Sequence, residues 1–145
     1  MQYIQTNEFM AAMLALPFLR TLDQYYPNVS DWYINTAVPG IVTGSDKLLI
    51  AREGGRMVGI ALGKKSAEET KLRCIRVLPE VQNRGVGIKL IDGMLELLED
   101  EHPHCTVAEE MFHLYSRAFV NRYGFKLSGV DKGRYRPGKL EYSFG

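Results

Sequence analysis

The apolar positions between Val86 and about Glu101 recur with a helical period: Leu90, Ile91, Met94, Leu97 and Leu98 make one stripe, and Lys89, Asp92, Glu96, Glu99 and Asp100 lie opposite. Pro103 ends this helix. Ahead of it the pattern is that of strands. Lys47–Glu53 and Arg56–Gly63 flank Gly54-Gly55, a dipeptide that tolerates the positive φ angles of a tight hairpin, and a polar turn at Ser66–Glu69 precedes a strand at Thr70–Val77. Beyond it, His104–Ala108 predicts a strand, Met111–Tyr123 a helix closed by Gly124, Phe125 the start of another strand, and Leu140–Phe144 a last one after the basic turn Arg134–Gly138. Toward the N-terminus, Met1–Gln5 predicts a short strand and the next apolar stretch a buried helix capped near Thr6 or Asn7 and ended by Tyr25-Tyr26-Pro27. Ser30-Asp31 caps a short helix through Trp32 and Tyr33, and Pro39-Gly40 with Gly44-Ser45 marks a loop. The order β-α-α-β-β-β-α-β-α-β-β predicts an α/β fold, a mixed sheet with helices on its faces.

The strand Thr70–Val77 breaks the period of two. Leu72 and Cys74 share one parity, Ile75 and Val77 the other, so the apolar set changes face between Cys74 and Ile75. A β-bulge inserts one residue of slip and splays strands beside sites; a strand buried on both faces would read the same way.

Length and composition add a single globular domain spanning residues 1–145: 46% hydrophobic and 24% charged residues, with no repeat, linker or low-complexity tract. The net charge of +1 argues against a protein that grips nucleic acid by bulk charge. Cys74 and Cys105 are too few for a disulfide scaffold and read as reduced thiols. The run Phe9–Leu16 resembles a signal-peptide core, but no Lys or Arg precedes it, Glu8 flanks it and Pro17 interrupts it; it is also shorter than the roughly 20 residues a membrane span needs. The expectation is a cytoplasmic protein without a membrane segment.

Chemistry concentrates in Gln82-Asn83-Arg84-Gly85-Val86-Gly87, between a strand and the long helix. Gly85 and Gly87 permit close backbone approach, the helix supplies its positive end, and its first turn carries no acid while Glu96, Glu99, Asp100 and Glu101 crowd the far end. These features suit an anion such as a phosphate; a glycine-containing turn ahead of a solvated helix face would read the same way. Other nucleotide loops fit worse: no G-x-x-x-x-G-K-[ST] occurs, and Leu90 stands where G-x-G-x-x-G needs its third glycine.

With its strand and helix context, Leu72-Arg73-Cys74-Ile75-Arg76-Val77-Leu78-Pro79-Glu80-Val81-Gln82-Asn83-Arg84-Gly85-Val86-Gly87 resembles the signature of the GNAT superfamily of acyl-CoA-dependent N-acyltransferases. Phe119-Val120-Asn121-Arg122-Tyr123-Gly124-Phe125 is similar to a second landmark of that family, an aromatic helix ending in G-F. The resemblance implies a mostly antiparallel sheet of six or seven strands with a splayed fourth and fifth pair. It also implies an N-acetyltransferase that moves acetyl from acetyl-CoA to a primary amine by direct attack, with no metal. Backbone amides of Gln82, Asn83, Arg84, Gly85, Val86, Gly87 and Ile88 would hold the pyrophosphate. The pantetheine arm would follow Ile75, Arg76 and Val77, and an amide near Val77 would polarise the thioester carbonyl. The acceptor would be a small molecule or a peptide, and a homodimer is compatible with the family. The alternatives are an acyl-CoA-binding regulatory module and a basic-loop protein that binds RNA or a protein partner.

The chain departs from the family where a tyrosine often protonates the departing thiolate: Val120 stands there, and His113 stands at the frequent Asn seven residues earlier. On a regular helix those two share a face about 10 Å apart, and Tyr115 and Tyr123 fall off it as core aromatics. Tyr135 from the last loop, or water, is the substitute donor. Glu109 or Glu110, after the strand His104–Ala108, is the candidate general base or amine contact. His102, His104, Cys105 and His113 invite a zinc reading, but neighbours in a strand point to opposite faces, so no metal site is expected. Charge is uneven: Asp92–Glu110 carries seven acids and no Lys or Arg, whereas Arg122–Lys139 carries six bases against Asp131. The basic segment suits an anionic acceptor, an RNA or the cofactor's 3′-phosphate, or plain solvation.

Overall fold

The runs Leu48–Ala51 and Val58–Leu62 have no polar face to offer water. In the computed structural model, which describes residues 1–145, they form the doubly covered centre of a sheet. Strands β2 (Asp46–Glu53) and β3 (Arg56–Lys65) pair around Gly54 and Gly55, both at positive φ. Strand β1 (Gln2–Thr6) lies antiparallel against β2, and β4 (Thr70–Val77) against β3. A second antiparallel sheet follows in the order β5 (Cys105–Ala108), β7 (Leu140–Phe144), β6 (Leu127–Lys132). The two sheets meet where Leu72 N–H donates to the His104 carbonyl (2.9 Å) and His104 N–H to the Thr70 carbonyl (3.0 Å), a single parallel bridge. The seven strands thus make a mixed sheet whose fourth and fifth members part beyond that bridge.

Helices α1 (Phe9–Leu14), α2 (Leu16–Arg20), α3 (Val29–Trp32) and α4 (Val38–Thr43) pack on one face, against Leu48, Ile50, Ile60 and Leu62. Helices α5 (Val86–Leu98) and α6 (Phe112–Ser116) cover the other, over Leu49, Ala61, Leu72, Ile75 and Val107. Helix α5 lies close on the sheet because Gly93 lacks a Cβ, which would stand 2.6 Å from a Leu49 methyl.

Several boundaries differ from the sequence pattern. The first helix is two short ones broken at Ala15, with Pro17 in the opening turn of α2, and it is not buried throughout: Phe9, Met10 and Leu14 are exposed. Pro39-Gly40 is no loop. A helical course runs from Val29 to Thr43 through a π-turn at Tyr33–Ala37, and Pro39, which cannot donate to the preceding turn, stands directly after that irregular stretch in the first turn of α4. Helix α5 stops at Leu98: Glu99 turns into the left-handed region (φ 54°), its N–H donates to the Glu96 carbonyl (3.2 Å) and the Asp100 N–H to the Leu95 carbonyl (3.3 Å), and the Asp100 carboxylate then holds the exit by accepting from His102 N–H (2.9 Å) and the Thr70 hydroxyl. Met111–Tyr123 is a 3₁₀ turn (Glu109–Met111), α6 and a π-turn (Arg117–Arg122), and β6 starts at Leu127.

The slip in β4 is present, one step earlier than its apolar parity places it. Leu62 pairs with Cys74 and Gly63 with Leu72, so Arg73 is the extra residue. Leu72, Ile75 and Val77 face the α5 core, and Cys74 packs on the opposite one. Arg73 points toward α3, where its guanidinium meets the Asp46 carboxylate at 3.1 Å and lies 5.1 Å over the Trp32 ring. Asp46 is buried, and desolvation outweighs Arg73 in holding its pKa above the usual carboxylate range. Replacing Arg73 with Ala leaves that carboxylate without its partner, and denaturant titration is expected to show a loss of about 2 kcal/mol.

Candidate functional site

Amide directions along β4 follow from two hydrogen bonds. Leu78 N–H donates to the Val58 carbonyl (2.9 Å), so by strand alternation Arg76 and Cys74 also face β3. Ile75 and Val77 therefore turn their N–H and C=O groups to the other edge. Below the bulge that edge is met by β5, since Thr70 and Leu72 bond His104; above it the strands have parted and the edge is open. The opening encloses a cavity of about 60 Å³ walled by Tyr25, Arg76, Val107, Tyr115 and Phe119 among others.

The turn after β4 continues this open edge. Pro79–Val81 forms a 3₁₀ turn, the Gln82 side-chain amide donates back to the Val77 carbonyl (3.2 Å), and Asn83 and Gly85 adopt positive φ (65° and 80°). The N–H groups of Asn83, Arg84 and Gly85 have no acceptor in the chain, and those of Val86, Gly87 and Ile88 lie in the first turn of α5, where a helix provides none. No side chain caps them and no acid stands in that turn. Gln82–Gly85 are exposed, and a Cβ at Gly85 would meet nothing within 4 Å. Arg84, by contrast, is not free for an anion: its guanidinium grips Glu53 of β2 at 2.6 and 3.2 Å. With Arg56–Glu80 (2.5 Å), this pair ties the turn to the β2–β3 hairpin. The unpartnered donors of this turn are therefore main-chain N–H groups.

The π-turn Arg117–Arg122 rewrites the expected helix face. It adds a residue to the turn, which puts Phe119 in the core and leaves Val120 and His113 exposed. Tyr115 packs on the core as expected, stacked against Phe119, and it also walls the opening and donates its hydroxyl to the Ile75 carbonyl at 3.3 Å. Burial holds its phenol above the ordinary tyrosine range, hence protonated. Tyr123 does take a packing role, bonding Asp92 (2.7 Å) and the Ile88 carbonyl (3.3 Å) of α5.

The acidic candidates after β5 sit outside the opening. Glu109 accepts the Leu140 N–H at 2.7 Å and so fixes the start of β7. Glu110 makes two bonds to Arg136 (2.6 and 2.7 Å), which hold its pKa down at about 2. Tyr135 meets Tyr26 edge to face, ring centroids 5.1 Å apart, on the side of β4 covered by the N-terminal helices. The pattern hides a different acid. Glu141 of β7 is 3% exposed and accepts a 2.6 Å hydrogen bond from the Tyr26 hydroxyl, and Tyr26 itself walls the opening. Burial outweighs that bond and raises the Glu141 pKa. Its alternation with Leu140 and Tyr142 reads as a solvent-facing strand position; only the tertiary packing of Tyr26 over it reverses that reading.

The histidines and cysteines do not converge, and no group of three potential metal ligands forms. His102 bonds the Tyr123 carbonyl (2.9 Å), while burial pushes the Cys74 and Cys105 thiols up to about 12. The two charged segments partly neutralise each other through Arg136–Glu110 and Arg122–Asp92 (3.9 Å). No helix is long and apolar enough to cross a membrane.

A family model described as an acetyltransferase (GNAT) domain matches residues 30–135. Among solved structures, the chain is similar to a protein from Desulfovibrio desulfuricans described as a GNAT-family acetyltransferase (TM-score 0.78, 18% identity, 99% of this chain and 96% of that one). It is also similar to the PaiA N-acetyltransferase of Thermoplasma acidophilum in complex with coenzyme A (TM-score 0.70, 15% identity, 99% and 98%). A third is the ribosomal-protein-S18-alanine N-acetyltransferase of Escherichia coli (TM-score 0.69, 15% identity, 99% and 92%). No curated protein matches the chain in sequence.

Proposed function

Since the chain belongs to the GNAT acetyltransferases, we propose that it moves the acetyl group of acetyl-CoA to a primary amine in one direct step, with the backbone from Asn83 to Ile88 holding the diphosphate. The observation that carries this is the row of unpartnered N–H groups that ends at the positive terminus of α5 and begins beside the outward-facing amides of Ile75 and Val77. Residues Asn83 to Ile88 suit the diphosphate; Gln82, expected with them, is excluded because its N–H donates to the Pro79 carbonyl (3.3 Å) and its side chain to the Val77 carbonyl. Ile75, Arg76 and Val77 border the path of the pantetheine arm. The Val77 N–H is the donor for the oxygen of the thioester as charge develops on it.

The remaining roles follow from the opening. The amine nitrogen attacks the acetyl carbon, the carbon–sulfur bond breaks, and the thiolate takes a proton from Tyr115, the phenol on the free edge of β4. The proton leaving the attacking nitrogen passes to the Tyr26 oxygen as Tyr26 gives its own to Glu141. This reading replaces Tyr135 and Glu109 as donor and base, because the first lies beyond Tyr26 and the second is committed to Leu140. Cys74 and Cys105, with pKa values of about 12, are poor nucleophiles at neutral pH, which supports direct transfer over an acyl-enzyme.

The test is thiol release from acetyl-CoA across a panel of primary amines. Amine-dependent release supports the enzyme; tight CoA binding by calorimetry without release for any amine would favour a regulatory module. Tyr115→Phe is expected to lower kcat by about tenfold, less than a general acid at a poorer leaving group would cost. Calorimetry should find acetyl-CoA affinity little altered, and an unchanged kcat would remove Tyr115 from the proton path.

A further inference from the structure

A second cavity of about 330 Å³ adjoins the opening between β4 and β5 and shares Tyr26, Cys74 and Thr106 with it. Its size is at the low end for small-molecule sites, roughly 300–1,000 Å³. Trp32, Tyr26 and Tyr135 give it aromatic walls; Lys71, Arg73 and Arg134 line it, and no Asp or Glu does. The cations are unevenly satisfied. Arg73 is committed to Asp46 and Trp32. Lys71 and Lys64 share the carboxylate of Glu69, at 3.2 and 3.8 Å, leaving a positive excess. Arg134 has one nitrogen 3.3 Å from Asp131, an exposed pair of little strength, and its guanidinium stacks 5.4 Å over Tyr135. The field reaches His104 in the same wall, whose pKa is lowered by burial and then by Lys71 and Arg134. At the junction with the opening the polarity reverses, because Tyr26 is bonded to the buried carboxylate of Glu141.

We propose that this cavity is the acceptor site and that it selects small amines bearing an acidic group, the amine lying toward Tyr26–Glu141 and the acid toward Arg134 and Lys71. This rests on the acetyl-transfer reading above. An aromatic or alkyl body between the two ends fits Trp32 and Tyr135, and a guanidinium binds a carboxylate or a phosphate with paired hydrogen bonds. Polycationic amines meet like charge at the outer end.

Matched pairs test it: 4-(aminomethyl)benzoate against benzylamine, lysine against cadaverine, and O-phosphoethanolamine against ethanolamine, with spermidine as the polycation. In at least one pair the acid-bearing member should have the higher kcat/KM, by about tenfold. The pair in which this occurs distinguishes carboxylate from phosphate. Arg134→Gln should reduce that preference at least fivefold, with the acid-bearing member losing more than its counterpart. No pair in which the acid-bearing member is preferred, spermidine as the best substrate of all, or a preference untouched by Arg134→Gln would overturn the proposal. No release for any amine while acetyl-CoA still binds would instead overturn the acetyl-transfer reading, and this one with it.

Discussion

Gly85→Asp is expected to abolish measurable acetyl-CoA binding while the protein still folds. A Cβ there meets nothing within 4 Å, so the folding cost is confined to the φ of 80°, about 1–2 kcal/mol for a residue with a side chain. The effect on the ligand is larger. A carboxylate at Gly85 offers acceptors to N–H groups that the diphosphate needs and adds a like charge beside it. At roughly 5 Å and an effective dielectric near 20, that repulsion alone costs about 3 kcal/mol, more than 10²-fold in affinity. Calorimetry with acetyl-CoA reads the loss, and a melting curve checks the fold. Affinity equal to that of the parent protein would remove phosphate cradling from this turn.

Glu141→Gln should lower kcat/KM by 10²- to 10⁴-fold, the usual range for a lost general base. Gln keeps an oxygen for the Tyr26 hydroxyl, so packing is preserved and charge alone is removed. The pH profile carries the sign. Burial raises the Glu141 pKa above 4.5, and the base works only when ionised, so activity falls with decreasing pH through a midpoint above 4.5. In Glu141→Gln that acidic limb should vanish. The same shift means that the folded protein holds this proton more tightly than the unfolded chain. Its contribution to stability is therefore greatest below 4.5 and declines as pH rises to the folded-state value. Glu109→Gln is the comparison, since it retains an acceptor for Leu140 N–H. A larger loss there than at position 141 would return the base to Glu109.

The parts of this molecule that obey a local rule were legible in the chain. Helix α5 follows from its stripe, the β2–β3 hairpin from Gly54-Gly55, and the uncapped, acid-free start of α5 from the glycine turn ahead of it. The parts that depend on a departure from regular geometry were not. The parity of Leu72, Cys74, Ile75 and Val77 announces a slip, but only the pairing of Gly63 with Leu72 places it at Arg73. A π-turn has no periodic signature, so a regular helix placed neither Phe119 in the core nor the Tyr115 hydroxyl on the Ile75 carbonyl. Glu141 was hidden for another reason: an acid that alternates with apolar residues looks solvated until a residue 115 positions away covers it.

The bridge at His104 has a mechanical corollary. On the α5 side one apolar cluster runs across the seam, from Leu49 and Val58 to Val107 and Phe144. The cluster beneath the N-terminal helices contains no residue of β5, β6 or β7. The four-stranded half is thus packed with apolar side chains from above and below, whereas the three-stranded half meets the N-terminal segment through polar and aromatic contacts, Tyr26 with Glu141 and Tyr135 and Arg136 over Tyr25. Across the sheet itself the halves are joined at His104, so their backbone coupling is narrow and the α5 cluster carries most of the apolar attachment between them.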